Sequence, residues 1–423
     1  TNYYFNPRDR LPKLIVHVPR RYTSNSWGGT ERVLEQTLPL MTEFGFNSMI
    51  YTTQALDDSV ADEVAGIPIT RFPYFYPEWP LSAERKLRYD NKGGNLLSLS
   101  LASSLNELKD ISLVHLHTGN LLGAQCYRVA KSKKNPIIIT LHGGHFAIPQ
   151  EELKSLAYVG KTDPKKGFRW GRGVSLFLRT RQLLKHMDAV LCVGIDEYEA
   201  AKKSLPGQRV YFIPGGVNID EFSNADRNRG RRLLGIDSKR LLIVCVARVD
   251  HQKDQATLVK AWRNQLSSEC DLALIGPETS PGYVDKLTRL GKNANGRLYI
   301  VGGVDPADIP HVYAAGDVSV LPSRHEPFGL TCLESWAAGI PLIAADVGGP
   351  GWLLKDGREG MLFPVGDEGL LGKALLEMLA DSELRKRYAL NGLERAKQEF
   401  SWGKQAERLS DIYNIVLEAY DAK

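Results

Sequence analysis

The regular alternation of short apolar segments with amphipathic segments of helical length is the feature that most constrains the fold of this chain. In the first half, strand-length apolar runs lie at residues 14–18, 47–52, 113–117, 136–141, 189–193 and 210–213. Helical patterns lie between them at residues 30–44 and 119–132. Strands that alternate with helices in this way are typical of an α/β fold with a parallel sheet covered by helices.

The second half repeats the same rhythm. Its predicted strands lie at residues 241–246, 271–275, 298–301, 318–321, 341–345 and 360–362. Its predicted helices lie at residues 255–266, 282–290, 309–315, 330–338 and 370–379. A chain of 423 residues has room for two or three domains of ordinary size. The repeated rhythm therefore predicts two α/β halves of about 200 residues each.

A Pro-Gly-Gly sequence at residues 214–216 predicts the junction between the halves, because these residues break both helices and strands. The alternative is an ordinary turn after a strand inside one domain. We expect a first domain at residues 1–213 and a second at residues 214–402. The final helix, in residues 403–423, is expected to pack back on the first domain.

Composition and charge exclude several classes of protein. Hydrophobic residues make up 43% of the chain and charged residues 24%, which is ordinary globular composition. The formal net charge of +5 does not argue for nucleic acid as a partner. No apolar run approaches the ~18 residues that span a bilayer, and the first residues lack the apolar core of a signal peptide. We therefore expect a cytoplasmic protein.

The cysteines predict neither a disulfide framework nor a zinc site. They are Cys126, Cys192, Cys245, Cys270 and Cys332. Their number is odd and none belongs to a Cys-x-x-Cys pair, which favours buried, reduced thiols.

Residues 323–334, Ser-Arg-His-Glu-Pro-Phe-Gly-Leu-Thr-Cys-Leu-Glu, contain the most informative pattern. They follow a predicted strand and begin a predicted helix. The first N–H groups of that helix would belong to Phe328, Gly329 and Leu330. Such an N-terminus attracts phosphate, while Glu326 could bind sugar hydroxyls and Glu334 a ribose diol. The pattern also fits a helix with an acid near its start and a solvent-exposed glutamate further along.

A second pattern lies at residues 244–254, where a predicted buried strand ends at Arg248 and Lys253 follows five residues later. Ligands of parallel sheets bind at the carboxyl ends of the strands, so these cations are well placed to bind a diphosphate. The alternative is a solvent-exposed loop with two surface cations.

Two glycine-rich segments follow strands of the first half. Gly28 and Gly29 precede a predicted helix and could form a backbone nest for an anion. His142 lies in the segment Leu-His-Gly-Gly-His, which could meet a reacting sugar. His115 and His117 alternate along a strand and would face one side of it together, in a structural or hydrogen-bonding role. The chain contains neither the dinucleotide fingerprint nor the phosphate-loop motif, and Asp-x-Asp is absent too, so no metal-dependent diphosphate site is predicted.

Taken in order along the chain, these segments resemble the retaining glycosyltransferases of the GT4 family. The strongest likeness is Glu326-x7-Glu334 with Pro-Phe-Gly-Leu inside it and Ala-Ala-Gly-Ile-Pro at residues 337–341. The resemblance covers nearly the whole chain. It implies the GT-B fold, in which two Rossmann-like domains with parallel sheets face each other across a cleft.

The resemblance also implies a role for each matching residue. Donor-binding positions would be Gly28, Gly29, Arg248, Lys253, Val301, Gly302, Phe328, Gly329, Leu330 and Glu334. Catalytic positions would be Glu326, His142, Arg248 and Lys253. In this assignment the two cations hold the diphosphate, Glu334 holds the ribose, and His142 faces the sugar from the first domain. The nucleotide base would lie near Val301 and Gly302.

The implied reaction moves a hexose-type sugar from a nucleotide diphosphate sugar to an acceptor hydroxyl with retention of configuration. A UDP-sugar is the first expectation, with GDP- and ADP-sugars as alternatives. Breaking the anomeric bond builds charge on the leaving phosphate, and Arg248 and Lys253 could stabilise it in place of a metal. No cofactor is expected. The resemblance favours a front-face route, and the rival is a covalent step at Glu326. A sugar-nucleotide epimerase on the same scaffold, or an inactive binding protein, are the alternative functions.

The acceptor cannot be read from these motifs; it could be a small sugar, a glycan or a lipid-linked molecule. Residues 161–186 contain eight lysines and arginines against the single acid Asp163, together with several large apolar residues. This segment could meet an anionic acceptor or the surface of a membrane. The alternative is a solvent-exposed basic helix and loop.

Overall fold

The structure of the protein is a computed structural model. It describes residues 12–23, 29–143, 146, 171–178, 180–236, 239–354 and 357–422, without the side chains of residues 92, 171, 172 and 181. The chain divides into two compact units. The first comprises Thr1–Pro214 and Gln405–Lys423, and the second comprises Gly215–Lys404.

The first unit is built on one sheet of eight described strands. They are β1 (Lys13–Val18), β2 (Phe46–Thr53), β3 (Ala61–Val64), β4 (Ile67–Phe72), β5 (Ile111–Leu116), β6 (Ile137–Leu141), β7 (Ala189–Cys192) and β8 (Val210–Phe212). Their order is β3-β4-β2-β1-β5-β6-β7-β8, and every neighbouring pair is parallel except β3 and β4. The central strands β1, β5 and β6 are largely apolar because helices bury them on both faces, and β1 and β5 also contain the buried His17 and His115.

The second unit is built on six described strands, all parallel. They are β9 (Leu241–Val246), β10 (Cys270–Ile275), β11 (Leu298–Val301), β12 (Val318–Leu321), β13 (Leu342–Ala345) and β14 (Gly360–Phe363). Their order is β11-β10-β9-β12-β13-β14, so the chain reverses its direction of progress across the sheet at β9. Such a reversal point opens a crevice at the carboxyl ends of the central strands.

Helices surround both sheets. In the first unit the described helices are α1 (Gly29–Thr37), α2 (Ala83–Lys92), α3 (Leu99–Glu107), α4 (Leu121–Ser132), α5 (Gly171–Phe177) and α6 (Ile195–Ser204). In the second they are α7 (Ile219–Ser223), α8 (Arg227–Leu233), α9 (Gln255–Gln265), α10 (Tyr283–Leu290), α11 (Ile309–Ala314), α12 (Leu330–Ala337), α13 (Gly348–Leu353), α14 (Glu368–Ala380) and α15 (Ser382–Glu399). Shorter 3-10 helices lie at Leu38–Phe44, Thr180–His186 and Pro306–Asp308.

The last helix, α16 (Trp402–Asp421), begins in the second unit and continues in the first. Its apolar residues, among them Ala406, Leu409 and Tyr413, join one core cluster with Ile15 of β1 and Leu113 of β5. The helix therefore covers one face of the first sheet.

The predicted α/β class, with one Rossmann-like sheet in each half, is confirmed. The predicted helix at residues 30–44 is α1 followed by a 3-10 helix that has Pro39 in its first turn. The parts of the fold that were not predicted include the β3–β4 hairpin, the first-unit helices α2, α3 and α6, and the long helix α15. All five cysteines are buried and free.

Candidate active site

The candidate donor residues of the second unit follow β9 and β12, which are neighbours at the centre of the sheet. Arg248 and Lys253 lie in the loop between β9 and α9, and Glu326 lies in the loop between β12 and α12. Because parallel strands end at the same edge, the fold brings these two loops together at the reversal point of the sheet.

Asp250 organises the loop after β9. Its buried carboxylate accepts the backbone N–H of Lys253 at 3.0 Å and the hydroxyl of Thr279 at 3.0 Å. The guanidinium of Arg248 pairs with the same carboxylate at 3.2 Å, yet 41% of the Arg248 side chain remains exposed. Asp250 thus orients Arg248 while leaving part of its donor set open to a ligand.

Hydrogen bonds join this loop to the loop after β12. The backbone N–H of Arg324 donates to the carbonyl of Gln252 at 2.8 Å. The Gln252 amide donates in turn to the carbonyl of His325 at 3.3 Å. The cations after β9 and the carboxylate after β12 are therefore held on one connected backbone scaffold.

Lys253 and Glu326 form an ion pair across the two loops. The Lys253 Nζ lies 2.5 Å from Glu326 Oε2, and each side chain is 13% exposed. The hydroxyl of Ser323 donates to the same oxygen at 3.4 Å. The ammonium has three donors, so it can keep Glu326 as a partner and still bind an anion at the mouth of the crevice.

The N-terminus of α12 lies next to this pair. Gly329 directly precedes the helix, and its backbone lies in the left-handed region at φ +88°. Residues other than glycine rarely adopt this backbone conformation. The side chain of Phe328 is buried near Trp352 and Phe400, so only the backbone of this residue could serve a ligand. The first N–H groups of an α-helix have no partner within the helix, and α12 begins beside the ion pair of Lys253 and Glu326.

A second glycine keeps the loop before α12 in place. The N–H of Gly349 donates to the carbonyl of Glu326 at 3.0 Å. A Cβ atom on Gly349 would lie 2.0 Å from the carbonyl oxygen of Phe328, which no real contact permits. The close approach of the two backbones therefore requires glycine at this position.

Glu334 is buried about one turn along α12 and accepts a hydrogen bond from the hydroxyl of Tyr313 at 3.0 Å. Burial and the Glu334 carboxylate raise the pKa of Tyr313 well above its usual value, so the phenol keeps its proton and donates it. The alternative of a solvent-exposed Glu334 is wrong. The phenol of Tyr313 therefore orients one oxygen of the Glu334 carboxylate.

Val301 and Gly302 lie at the same edge of the sheet, at the end of β11. The carbonyl of Val301 accepts the N–H of Gly276 at 2.9 Å. Gly276 itself has φ +145°, and a Cβ there would lie 2.2 Å from the carbonyl oxygen of Ala247. Gly302 is exposed, and no described atom lies within 4 Å of the position its Cβ would take. The predicted base site thus lies two strands away from β9.

The sequence matches two known families along most of its length. Residues 27–221 match Glycosyltransferase Family 4, and residues 226–395 match Glycosyl transferases group 1. The alpha-maltose-1-phosphate synthase of Mycolicibacterium smegmatis is 27% identical over 78% of this chain and 85% of that protein. The D-inositol 3-phosphate glycosyltransferase of Thermobispora bispora is 31% identical over 50% of this chain, which spans about half the length of that relative.

Solved structures share the fold at lower identity. The sucrose-phosphate synthase of Thermosynechococcus elongatus has a TM-score of 0.70 at 20% identity, covering 96% of this chain and all of that one. Anabaena HepE in complex with UDP and glucose has a TM-score of 0.67 at 19% identity, covering 95% of this chain and 99% of that one. The chain belongs to the GT-B glycosyltransferases of family 4.

In the first unit of this glycosyltransferase, His142 directly follows β6 and is half-buried. Burial lowers the pKa of His142 to about 4, so the imidazole is neutral near pH 7. The buried carboxylate of Glu197, in the first turn of α6, accepts the N–H groups of Gly143 at 2.9 Å and Phe146 at 3.4 Å. Glu197 therefore anchors the loop that begins at His142.

Of the predicted glycine pair, Gly28 lies outside the described residues, and Gly29 is the first residue of α1. No described atom lies within 4 Å of the position a Gly29 Cβ would take. The first turn of α1 contains the buried acid Glu31, whose carboxylate lies 3.7 Å from the guanidinium of Arg21. The first turn of α1 therefore contains a carboxylate, that of Glu31, which is already paired with an arginine.

Part of the basic segment predicted to meet the acceptor or a membrane, residues 161–170 and 179, lies outside the described residues. Of the remainder, Leu176 and Phe177 at the end of α5 are 81% and 68% exposed. Among the helices described, none combines the length and the apolar character that a bilayer crossing requires.

Sequence reasoning missed three residues that hold the candidate residues in place, namely Asp250, Tyr313 and Glu197. Asp250 was visible two residues after Arg248, but nothing local distinguishes a loop-organising aspartate from a solvent-exposed one. The hydroxyl of Tyr313 reaches Glu334 from another helix, so only the tertiary fold relates the two.

Proposed function

We propose that this glycosyltransferase moves a hexose-type sugar from a UDP-sugar to an acceptor hydroxyl, with retention of configuration and without a metal. The observation that carries the proposal is the placement of Arg248 and Lys253 at the end of the central strand β9, beside the start of α12. Two cations and a helix N-terminus at one sheet edge are suited to a diphosphate.

The reaction breaks the bond between the anomeric carbon and the β-phosphate oxygen and forms one to the acceptor oxygen. Negative charge develops on the leaving diphosphate, and fixed positive groups stabilise it most when they need no rearrangement. Asp250 and the hydrogen bonds between the loops hold Arg248 and Lys253 in advance. In our proposal the departing phosphate takes the acceptor proton, so the acceptor arrives on the face that the phosphate leaves.

Glu326 would bind hydroxyls of the donor sugar in this scheme. Its carboxylate is already engaged by Lys253 and Ser323, and this supports a binding role over a covalent one. A carboxylate paired with an ammonium is a weaker nucleophile than a free one, because the pairing stabilises its charge.

Glu334 and the end of β11 would hold the nucleoside. The phenol of Tyr313 orients Glu334 toward one geometry, which suits a ribose diol. Support for uridine comes from Anabaena HepE, whose structures are described as complexes with UDP and with UDP-glucose. Two relatives are named for a maltose phosphate and an inositol phosphate, so phosphorylated small acceptors are the first to test.

The test measures nucleoside diphosphate release from UDP-, GDP- and ADP-glucose, with and without phosphorylated sugar and inositol acceptors. We expect acceptor-dependent release of UDP, an α-linked product by proton NMR, and unchanged rates in excess chelator. A β-linked product would contradict retention. Loss of activity in chelator with rescue by manganese would contradict metal independence, and an isomerised sugar formed without acceptor would show an epimerase instead.

A further inference from the structure

Three strands of the first unit end in a connected group of histidines. His17 lies on β1, His117 directly follows β5, and His142 directly follows β6, and these strands are adjacent in the order β1-β5-β6. The Nδ1 of His17 lies 3.1 Å from the Nε2 of His117. The Nδ1 of His117 lies 3.0 Å from the Nε2 of His142. The three rings therefore form one hydrogen-bonded chain that ends at the residue assigned to the sugar.

The three imidazoles of this chain are neutral. Burial lowers the pKa of His17 to about 3 and that of His142 to about 4. Burial, together with the neighbouring histidines, lowers the pKa of His117 well below its usual value. A neutral imidazole has one N–H and one lone pair, so each hydrogen bond in the chain fixes the protonated nitrogen of the next ring.

Only two arrangements of protons satisfy both hydrogen bonds. In the first, His17 donates from Nδ1 to His117, and His117 donates from Nδ1 to His142, which places the His142 proton on Nδ1. In the second, both bonds run the other way, and His142 has a lone pair at Nδ1. The arrangements differ at the far end, since the second puts a proton on the Nε2 of His17.

The buried end of the chain decides between them. The Nε2 of His17 is buried and has no hydrogen-bond partner among the described residues. A buried N–H without a partner is rarer in proteins than an acceptor that lacks one. The first arrangement leaves a lone pair at that nitrogen, whereas the second would leave an orphaned N–H.

We infer that His17 and His117 are positioning residues that hold His142 as the Nδ1–H tautomer. His142 then offers a hydrogen-bond donor, not a base, at its one ring nitrogen outside the chain. A donor at this position would bind an oxygen of the sugar. This last step rests on the proposed sugar transfer and on the sugar-facing role that the family resemblance implies for His142; the tautomer itself does not.

A metal site is the competing interpretation of the same cluster. Within the described residues, His17, His115 and His117 each bring one ring nitrogen within 4.8 Å of the others. However, His115 already contacts the hydroxyls of Tyr413 and Thr140, both at 2.7 Å. A cation bound by all three would have to break hydrogen bonds of His115 and the bond between His17 and His117. We therefore favour the proton chain.

The experiment is a long-range nitrogen–proton NMR spectrum of the full chain labelled with ¹⁵N-histidine, which distinguishes the two tautomers of each ring. The His142 signals are identified by their loss in His142→Gln. We expect Nδ1 of His142 to be protonated in the wild type. In His117→Leu the constraint is gone, and the Nε2–H tautomer that free histidine prefers should appear. Tyr413→Phe is the matched control, because it removes a partner of His115 and should leave the His142 tautomer unchanged.

The wild-type spectrum alone tests the tautomer, even if a variant fails to fold. Protonation at Nε2 of His142, or joint displacement of the His17, His115 and His117 signals by added Zn²⁺, would overturn the inference. We also expect His117→Leu to reduce kcat for sugar transfer about 3- to 10-fold, the range of one hydrogen bond, with UDP affinity unchanged. A changed tautomer with unchanged transfer would support the chain and contradict the placement of His142 at the sugar.

Discussion

Lys253 Nζ lies 2.5 Å from the carboxylate of Glu326, so the cation assigned to the diphosphate and the acid assigned to the sugar are direct partners. Glu326→Gln should therefore change binding and turnover in opposite directions. The ammonium loses its carboxylate and a negative charge leaves the phosphate site, so UDP should bind a few-fold more tightly. Transfer should fall about 10²- to 10³-fold, because a preorganised contact to the sugar is lost.

Calorimetric titration with UDP and initial-rate kinetics measure the two effects separately. Glu368→Gln is the matched control, since Glu368 also pairs with a lysine, Lys260, but is 42% exposed and lies on α14. Near wild-type turnover in Glu326→Gln would remove this residue from the assigned site.

Arg248→Ala and Lys253→Ala should weaken the binding of UDP more than the binding of uridine. Both cations are assigned to the phosphates, and uridine has no phosphate groups. Each charge-assisted contact is worth about 1.5–3 kcal/mol, or roughly 10- to 100-fold in UDP affinity. The control is Arg229→Ala, an exposed arginine that pairs with Asp308 away from β9. Equal losses for UDP and uridine in calorimetry would refute the assignment.

Tyr313→Phe should weaken the binding of UDP and the binding of uridine equally. The phenol donates to Glu334, and its loss frees that carboxylate to turn away from the ribose and leaves it buried with one partner fewer. We expect a loss of about 1 kcal/mol, near 5-fold, in both affinities. Tyr51→Phe, at a buried tyrosine of the first unit that packs against Phe72, is the control. A loss confined to UDP would mean that Glu334 serves the phosphates.

The parts of the fold that the sequence predicts best are the buried strands of the second unit. The bounds of β9, β11 and β12 agree with the prediction residue for residue, because each is a short, largely apolar run that directly follows a charged residue. Helix α15 was missed since it buries only a few small or apolar residues along 18 positions, which leaves almost no helical periodicity.

In the candidate site, the sequence identified Lys253 and Glu326 but not their contact. They are 73 residues apart, and only the pairing of β9 with β12 brings their loops together. His17, which the sequence analysis did not single out, is likewise 100 residues from His117, and the two meet because β1 pairs with β5. Motif spacing reports which residues occupy a loop, whereas hydrogen-bond partners depend on which strands are neighbours.

Acid should destabilise the first unit through its buried histidines. Below about pH 6.5 the unfolded chain binds protons at His17, His115, His117 and His142, whereas the folded chain keeps them neutral because burial lowers all four pKa values. The unfolded state therefore gains protons first, and the free energy of unfolding falls as the pH falls from about 6.5 toward 4. Each such histidine contributes about 2 kcal/mol of this loss between pH 7 and pH 5.

Urea unfolding at pH 7 and pH 5 measures the effect. In His17→Gln the loss between the two pH values should be smaller by about 2 kcal/mol than in the wild type. His251→Gln, at an exposed histidine of the second unit, controls for the removal of a histidine as such. An equal loss of unfolding free energy in the wild type and in His17→Gln would mean that the folded protein does not keep His17 neutral.

Gly349→Ala should remove donor binding by displacing the loop before α12. The new Cβ would lie 2.0 Å from the Phe328 carbonyl oxygen, and the atoms it meets are backbone, which cannot swing aside as a flexible side chain can. The loop must move, which breaks the hydrogen bond from Gly349 to Glu326 and shifts the first N–H groups of α12. Overpacking of this kind costs about 1–3 kcal/mol of stability, so the second unit should still fold.

Calorimetry on Gly349→Ala should then show UDP affinity reduced at least 10-fold, with a secondary-structure spectrum like that of the wild type. Gly369→Ala is the matched control, because its Cβ would meet the Asp367 carboxylate at an ordinary 3.4 Å. Undiminished UDP affinity in a folded Gly349→Ala protein would show that the position of this loop does not determine donor binding.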